Sequence, residues 1–310
     1  MEATRGAIEG DAVLVSGATG FVGARLVARL VADGRRVAAV VRAGSDATAL
    51  RAAGVAIVVD DGTAEGLARA VAEIRPATVF HLAAKFTAIH TTADVDALVA
   101  ANVAFGARLA EAAARAGATR FVTAGTSWQV DEDGEERANS LYAATKAAFE
   151  AILGHYAANE GMRALSLRLY DTWGPGDTRR KLLPLLLSAH ASGTHLGLSP
   201  GDQRLDLVHV DDVVEGFLVA EARLAAAPAG TFERFALRSG RDVSVKELVA
   251  IMEKVSGRAM PVAFGERPYR VGEVMAPSPG EILPGWRARI GLEDGLAALI
   301  GGDACSTAKP

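Results

Sequence analysis

Tyr142 and Lys146 stand four residues apart in Tyr142-Ala143-Ala144-Thr145-Lys146, a spacing that puts both side chains on one face of a helix. A free phenol ionises near pH 10 and is a poor proton donor or acceptor at neutrality. An ammonium beside it stabilises the phenolate and brings the group into working range. A hydroxyl at the end of the strand before that helix would complete a clamp on a substrate carbonyl oxygen. Thr126, in Thr123-Ala124-Gly125-Thr126-Ser127, is the first choice for it and Ser127 the second. This chemistry is ketone reduction with a hydride donor.

A donor site is written near the start of the chain. Gly17-Ala18-Thr19-Gly20-Phe21-Val22-Gly23 follows the apolar run Ala12-Val13-Leu14-Val15 and precedes an amphipathic segment. Glycines there let the chain turn tightly and bring backbone amides against a pyrophosphate at a helix N-terminus. The end of the second strand decides the cofactor. An NAD site places an acid there for the ribose 2′-hydroxyl, whereas this strand ends Val40-Val41-Arg42 with no acid until Asp46. Arg42 forms a charge-assisted fork to a 2′-phosphate. The expectation is NADP(H), with NAD(H) as the alternative. Asp61, after the third strand, is placed to meet the adenine or to form a turn.

These residues need a scaffold, and the hydrophobic pattern supplies it. Buried strands read at Ala12–Val15, Arg36–Val41, Ala56–Val59, Thr78–Leu82, from Phe121, and at Ala164–Leu169. Helices read at Phe21–Asp33, Ala64–Ile74 (closed by Pro76), Asp94–Arg115 and Leu141–Asn159. Continuous apolar strands alternating with helices predict an α/β fold, a doubly wound parallel sheet with ligands at the carboxyl ends of the strands. Residues 1–174 form this dinucleotide-binding part, and 205–222 read as a strand and helix returning to it. Residues 175–204 and 223–305 form a smaller C-terminal substrate lobe, and 301–310 a disordered tail.

The 310 residues are 50% hydrophobic and carry a net charge of −4, which points away from nucleic acid as the partner. The lone cysteine, Cys305, has no intrachain partner, and no metal-ligand spacing stands out. Residues 1–11 are polar, unlike a secretory leader. The apolar run Leu182–Leu187 falls short of the ~20 residues of a membrane helix. A cytoplasmic, membrane-free protein is expected.

Taken together, the motifs resemble the extended short-chain dehydrogenase/reductases of the NAD-dependent epimerase/dehydratase group, a Rossmann fold. The matching pieces are Gly17–Gly23, His81-Leu82-Ala83-Ala84, Asn102-Val103, Thr126, Tyr142 with Lys146, Leu167-Arg168-Leu169, Gly174-Pro175 and Val208-His209-Val210-Asp211-Asp212. The resemblance implies that Leu82, Ala83 and Ala84 line the nicotinamide side and that Lys146 holds the nicotinamide ribose. It makes His81 a packed strand-end residue.

Three departures narrow the reaction. Ser127-Trp128 stand where the family's dehydratases have Asp-Glu, so the acid and base for water loss are missing. Arg42 suits a consumable NADPH rather than a retained NAD. Leu205 precedes Asp206 where the family often has an arginine for a diphosphate, and Arg204 is one place early; one residue's slip in a strand turns a side chain to the other face. Lys181, Arg267, Arg179, Arg180 and Arg270 are the substitutes. Gly125–Gln129, Leu141–Lys146, Asp171–Pro175 and Leu198–Gln203 are similar to the CDP-abequose/CDP-paratose synthase-like 4-ketoreductases. This likeness implies a CDP- or dTDP-linked keto-sugar substrate, contacts from Lys85, Ser127, Trp128, Gln129 and Asp171, and a homodimer. A nucleotide-sugar 4-epimerase with retained NAD and a reductase of a non-sugar ketone are the alternatives.

Overall fold

The computed structural model describes residues 12–306, and side chains through residue 301. In chain order the first half runs β1 (Val13–Ser16), α1 (Phe21–Ala32), β2 (Val37–Arg42), α2 (Thr48–Ala52), β3 (Ala56–Asp60), α3 (Ala64–Ile74) and β4 (Thr78–His81). It continues with α4 (Val95–Val99), α5 (Phe105–Arg115), β5 (Arg120–Thr126), α6 (Leu141–Glu160), β6 (Arg163–Leu169) and β7 (Asp171–Trp173). The remainder is α7 (Leu182–Ser192), β8 (Leu196–Gly197), β9 (Arg204–His209), α8 (Val210–Ala226), β10 (Phe232–Leu237) and β11 (Asp242–Ser244). Last come α9 (Val245–Ser256), β12 (Val262–Ala263) and α10 (Leu292–Ser306).

The main sheet has seven strands in the order β10-β6-β5-β4-β1-β2-β3, with β1 parallel to β2 and β4, and β2 parallel to β3. Every residue of β1 and β4 is buried, the reason both read as unbroken apolar runs. Strand order reverses between β1 and β4, the switch point at which such sheets bind ligands. The expected Rossmann-type α/β fold is the one observed.

The chain divides into two compact units. The first holds the chain to Gly125, Ser140–Leu167 and Phe217–Arg234; its core joins Leu14, Val40 and Val79 of the sheet to Leu67, Val71, Leu109, Phe149 and Leu153 of the helices. The second holds Thr126–Asn139, Arg168–Gly216 and the chain from Phe235. Its own core collects Trp173, Leu183, Leu186, Leu248, Met252 and Leu296, around a three-stranded sheet β11-β9-β7.

Two expectations are corrected. The strand expected to return to the main sheet near Leu205 is β9, and it pairs with β7 and β11 instead; the seventh main-sheet strand is β10. Of the tail expected to be disordered, residues 301–306 continue helix α10, and residues 307–310 lie outside the described residues. Among the described residues, the helical run Thr92–Arg115 is long and apolar enough by length and composition to cross a membrane. Leu98, Leu109 and Ala110 within it are buried in this fold. Its centre, Ala100–Ala104, widens into a π-helical turn, a feature that often marks functional sites.

Candidate active site

In the first unit, the glycines of the loop are required by contact. Gly17 sits at φ +75°, and a Cβ there would lie 2.6 Å from the Ala83 nitrogen. A Cβ on Gly23 would lie 2.1 Å from the Gly17 carbonyl oxygen. The loop is therefore clamped between the end of β4 and the first turn of α1. Helix α1 begins at Gly20 with no side-chain cap, the arrangement in which a phosphate takes the capping role. These residues fit a dinucleotide: Thr19, Phe21 and Val22 share the loop with the three glycines, and Leu82, Ala83 and Ala84 flank it. The Leu82 amide donates to the Ser16 carbonyl.

Arg42 is exposed at the end of β2 and has no ion-pair partner among the described residues. Sequence reading missed its neighbour: Asp60 of β3 stands in register with it. That carboxylate faces Arg108 at 3.7 Å, which offsets its repulsion of a 2′-phosphate. Asp61 accepts hydrogen bonds from the Thr63 amide and hydroxyl at 2.8 and 2.7 Å, and these hold its carboxyl below the usual range. It is a turn former here.

Tyr142 and Lys146 lie on α6, started by Ser140 accepting from the Ala143 amide. Burial pushes the Tyr142 phenol up to about 12. Burial pulls Lys146 down to about 8, partly opposed by Glu150. Burial thus works against the expectation of a phenol made acidic: desolvation of the anion is the cause that acts on Tyr142. The sign for stability follows, because the lysine's folded value is depressed. Burying its ammonium opposes folding in full below about pH 8, and this opposition fades as pH rises toward the unfolded value. Proton donation by a neutral phenol, rather than a standing phenolate, is the chemistry that this environment favours.

The surroundings of the pair were only partly legible. Phe86, half exposed, packs edge-on against the Tyr142 ring at 5.0 Å between centroids. Asn102, at the π-helical turn, accepts from the Lys85 amide at 2.8 Å and donates to the Lys85 carbonyl and the Thr145 hydroxyl. Thr145 in turn donates to the Tyr142 carbonyl, so one buried amide ties the segment after β4 to the helix of Tyr142 and Lys146. The Lys85 ammonium faces Asp94 at 3.7 Å. His81 is packed as expected, among Phe105, Phe121 and Phe149, with Nδ1 2.6 Å from the Ser16 hydroxyl.

In the second unit, a cavity of about 430 Å³ is lined by Ser127, Trp128, Tyr170, Asp171, Arg204 and Arg270, among others. Thr126 is the last residue of β5, and its hydroxyl accepts from the Trp128 amide, leaving its own proton to donate. Gln129, expected to touch the sugar, is 1% exposed and its Oε1 accepts from the Thr126 amide. It shapes the turn instead. Arg204 turns to the Asp242 carbonyl at 2.6 Å and Glu247 at 3.3 Å, while Leu205 also lines the cavity. Arg267 is exposed and outside the lining, and Arg270 takes the place expected of it, paired with Glu273 at 2.6 Å. Lys181 faces Asp171 at 3.9 Å.

A glycine cradle at a sheet's switch point and a buried Tyr/Lys pair define a nicotinamide-dependent enzyme of the extended short-chain dehydrogenase/reductase group. The chain belongs to the NAD dependent epimerase/dehydratase family, whose profile matches residues 13–233. It is 29% identical to the UDP-glucose 4-epimerase of Mycolicibacterium smegmatis, over 93% of this chain and 96% of that one. It is 25% identical to the CDP-abequose synthase of Salmonella typhimurium, over 93% and 97% of the two chains. Among solved structures, MoeE5 in complex with UDP-glucuronic acid and NAD superposes with a TM-score of 0.80 at 29% identity, covering 96% of this chain and all of that one.

Proposed function

We propose that the enzyme uses NADPH to reduce a keto group, at C4, of a nucleotide-activated deoxyhexose, CDP- or dTDP-linked. The observation that carries the cofactor choice is Arg42, exposed at the end of β2 without an acid beside it on that strand. The sugar assignment is supported by the CDP-abequose synthase relative and by Ser127-Trp128, which lack a dehydratase's acid and base. NADPH, when bound, supplies the hydride to the carbonyl carbon. Tyr142 delivers its proton to the oxygen as the alkoxide forms, Lys146 holds the ribose and limits the charge left on the phenol, and Thr126 donates the second hydrogen bond. Asp171, Ser127 and Trp128 are assigned to the sugar, and Arg270 with Arg204 to the diphosphate.

A second reading, a 4-epimerase with retained NAD, is favoured by the UDP-glucose 4-epimerase relative, matched along nearly the whole chain. One experiment separates them: assay of the cofactor carried through purification, followed by NADPH oxidation with CDP-, dTDP- and UDP-linked 4-keto sugars and with free ketones. Reduction requires net NADPH consumption with a nucleotide-linked ketone. Stoichiometric bound NAD+ with no net consumption overturns it in favour of epimerisation.

A further inference from the structure

Helix α6 carries a third ionisable group in line with the pair. Glu150 lies one turn beyond Lys146, so Tyr142, Lys146 and Glu150 follow one another at i, i+4 and i+8 along one face. Glu150 is 2% exposed. Its Oε1 accepts from the Ser166 hydroxyl at 2.5 Å and its Oε2 from Arg234 Nε at 2.8 Å, so both oxygens are fixed in place. Lys146 is buried to the same degree, and its Nζ has no hydrogen-bond partner among the described residues. A buried ammonium without hydrogen bonds is strongly disfavoured unless a counter-charge lies close. His81 on β4, kept neutral by burial, and Glu150 on its own helix interact with it electrostatically, and Tyr142 shares its helix face. Arg234 on β10 and Ser166 on β6 act through Glu150.

We propose that Glu150 is a positioning residue for catalysis: it is the counter-charge that keeps Lys146 an ammonium, and Arg234 sets how much of that charge Lys146 experiences. The link to turnover rests on the reading of Tyr142 and Lys146 as the reducing pair; the electrostatic link does not. It predicts opposite effects from the two partners. Glu150→Gln removes the attraction and lowers the pH at which Lys146 titrates, by about 1 pH unit or more. Arg234→Gln removes a competing cation from a side chain that is 41% exposed and raises it. An ammonium works below its own pKa, so the alkaline limb of kcat shifts the same way in each variant.

The test is carbon-13 NMR of the lysine-labelled full chain, with Lys146→Arg to assign the resonance and kcat–pH profiles beside it. Movement of the Lys146 titration down in Glu150→Gln and up in Arg234→Gln, with partial recovery in Glu150→Asp, supports the proposal. An unmoved titration in folded variants overturns it. Where Glu150→Gln fails to fold, Arg234→Gln decides alone. Should the titration move while kcat keeps its profile, Glu150 tunes Lys146 but the pair is not the reducing machinery, and the functional reading fails instead.

Discussion

The glycine loop and the acid-lined cavity differ in how ready each is to hold a charged ligand. In the loop, recognition is by backbone: clamped glycines and an uncapped helix start leave no side chain to rearrange. In the cavity the cations are already engaged. Arg137 pairs with Asp131 at 2.8 Å, Arg204 with Glu247 at 3.3 Å and Arg270 with Glu273 at 2.6 Å. A ligand phosphate there must displace a carboxylate that the protein itself supplies. The loop is preorganised for its ligand, and the cavity has to exchange partners to accept one. Binding at the cavity should therefore be weaker and more dependent on salt than binding at the loop.

The largest expected effect strikes the chemistry and spares both binding regions. Tyr142→Phe should lower kcat by about 10²–10⁴-fold, the range for a lost general acid, with cofactor affinity by calorimetry unchanged. Intact turnover would remove Tyr142 from the mechanism. A middle-sized effect belongs to the loop side. Arg42→Ala should reduce the kcat/KM preference for NADPH over NADH by about 10–100-fold, since a charge-assisted hydrogen bond contributes about 1.5–3 kcal/mol. An unchanged ratio would place the cofactor choice elsewhere and favour retained NAD. The smallest effect belongs to the cavity. Glu273→Gln frees Arg270, so nucleoside diphosphate binding should tighten by about fivefold at low salt, the upper worth of a surface ion pair, applied here to a pair whose arginine is exposed and whose glutamate is mostly buried. Weaker binding would instead make Glu273 a ligand contact and end the contrast drawn between the two regions.

What sequence reading reached, and what it did not, follows the same division. Loop, strand ends and helix face are defined by neighbours three or four residues apart, and Gly17–Gly23, Arg42 and the Tyr142/Lys146 pair lie on the elements the local pattern predicts, between β1 and α1, at the end of β2 and on α6. Gln129 and Arg267 were misassigned because whether a polar side chain faces a cavity or caps its own turn depends on distant packing. Asp60 beside Arg42, Asn102 bracing Lys85 and Thr145, and Glu150 held by Ser166 and Arg234 each join residues at least 16 positions apart. The Asn102-Val103 match was the one signal that could have drawn attention to the brace.

By itself, then, the chain's local chemistry determined the doubly wound sheet, the glycine loop between β1 and α1 and the placing of Tyr142 and Lys146 on one helix face, because periodicity and short spacing are properties of the chain alone. Only the tertiary structure decided that β9 leaves the main sheet, that the arginines of the cavity are already paired, and that the phenol is raised rather than lowered in pKa. Those outcomes turn on desolvation and on contacts between segments far apart, which exist only once the chain has closed around them.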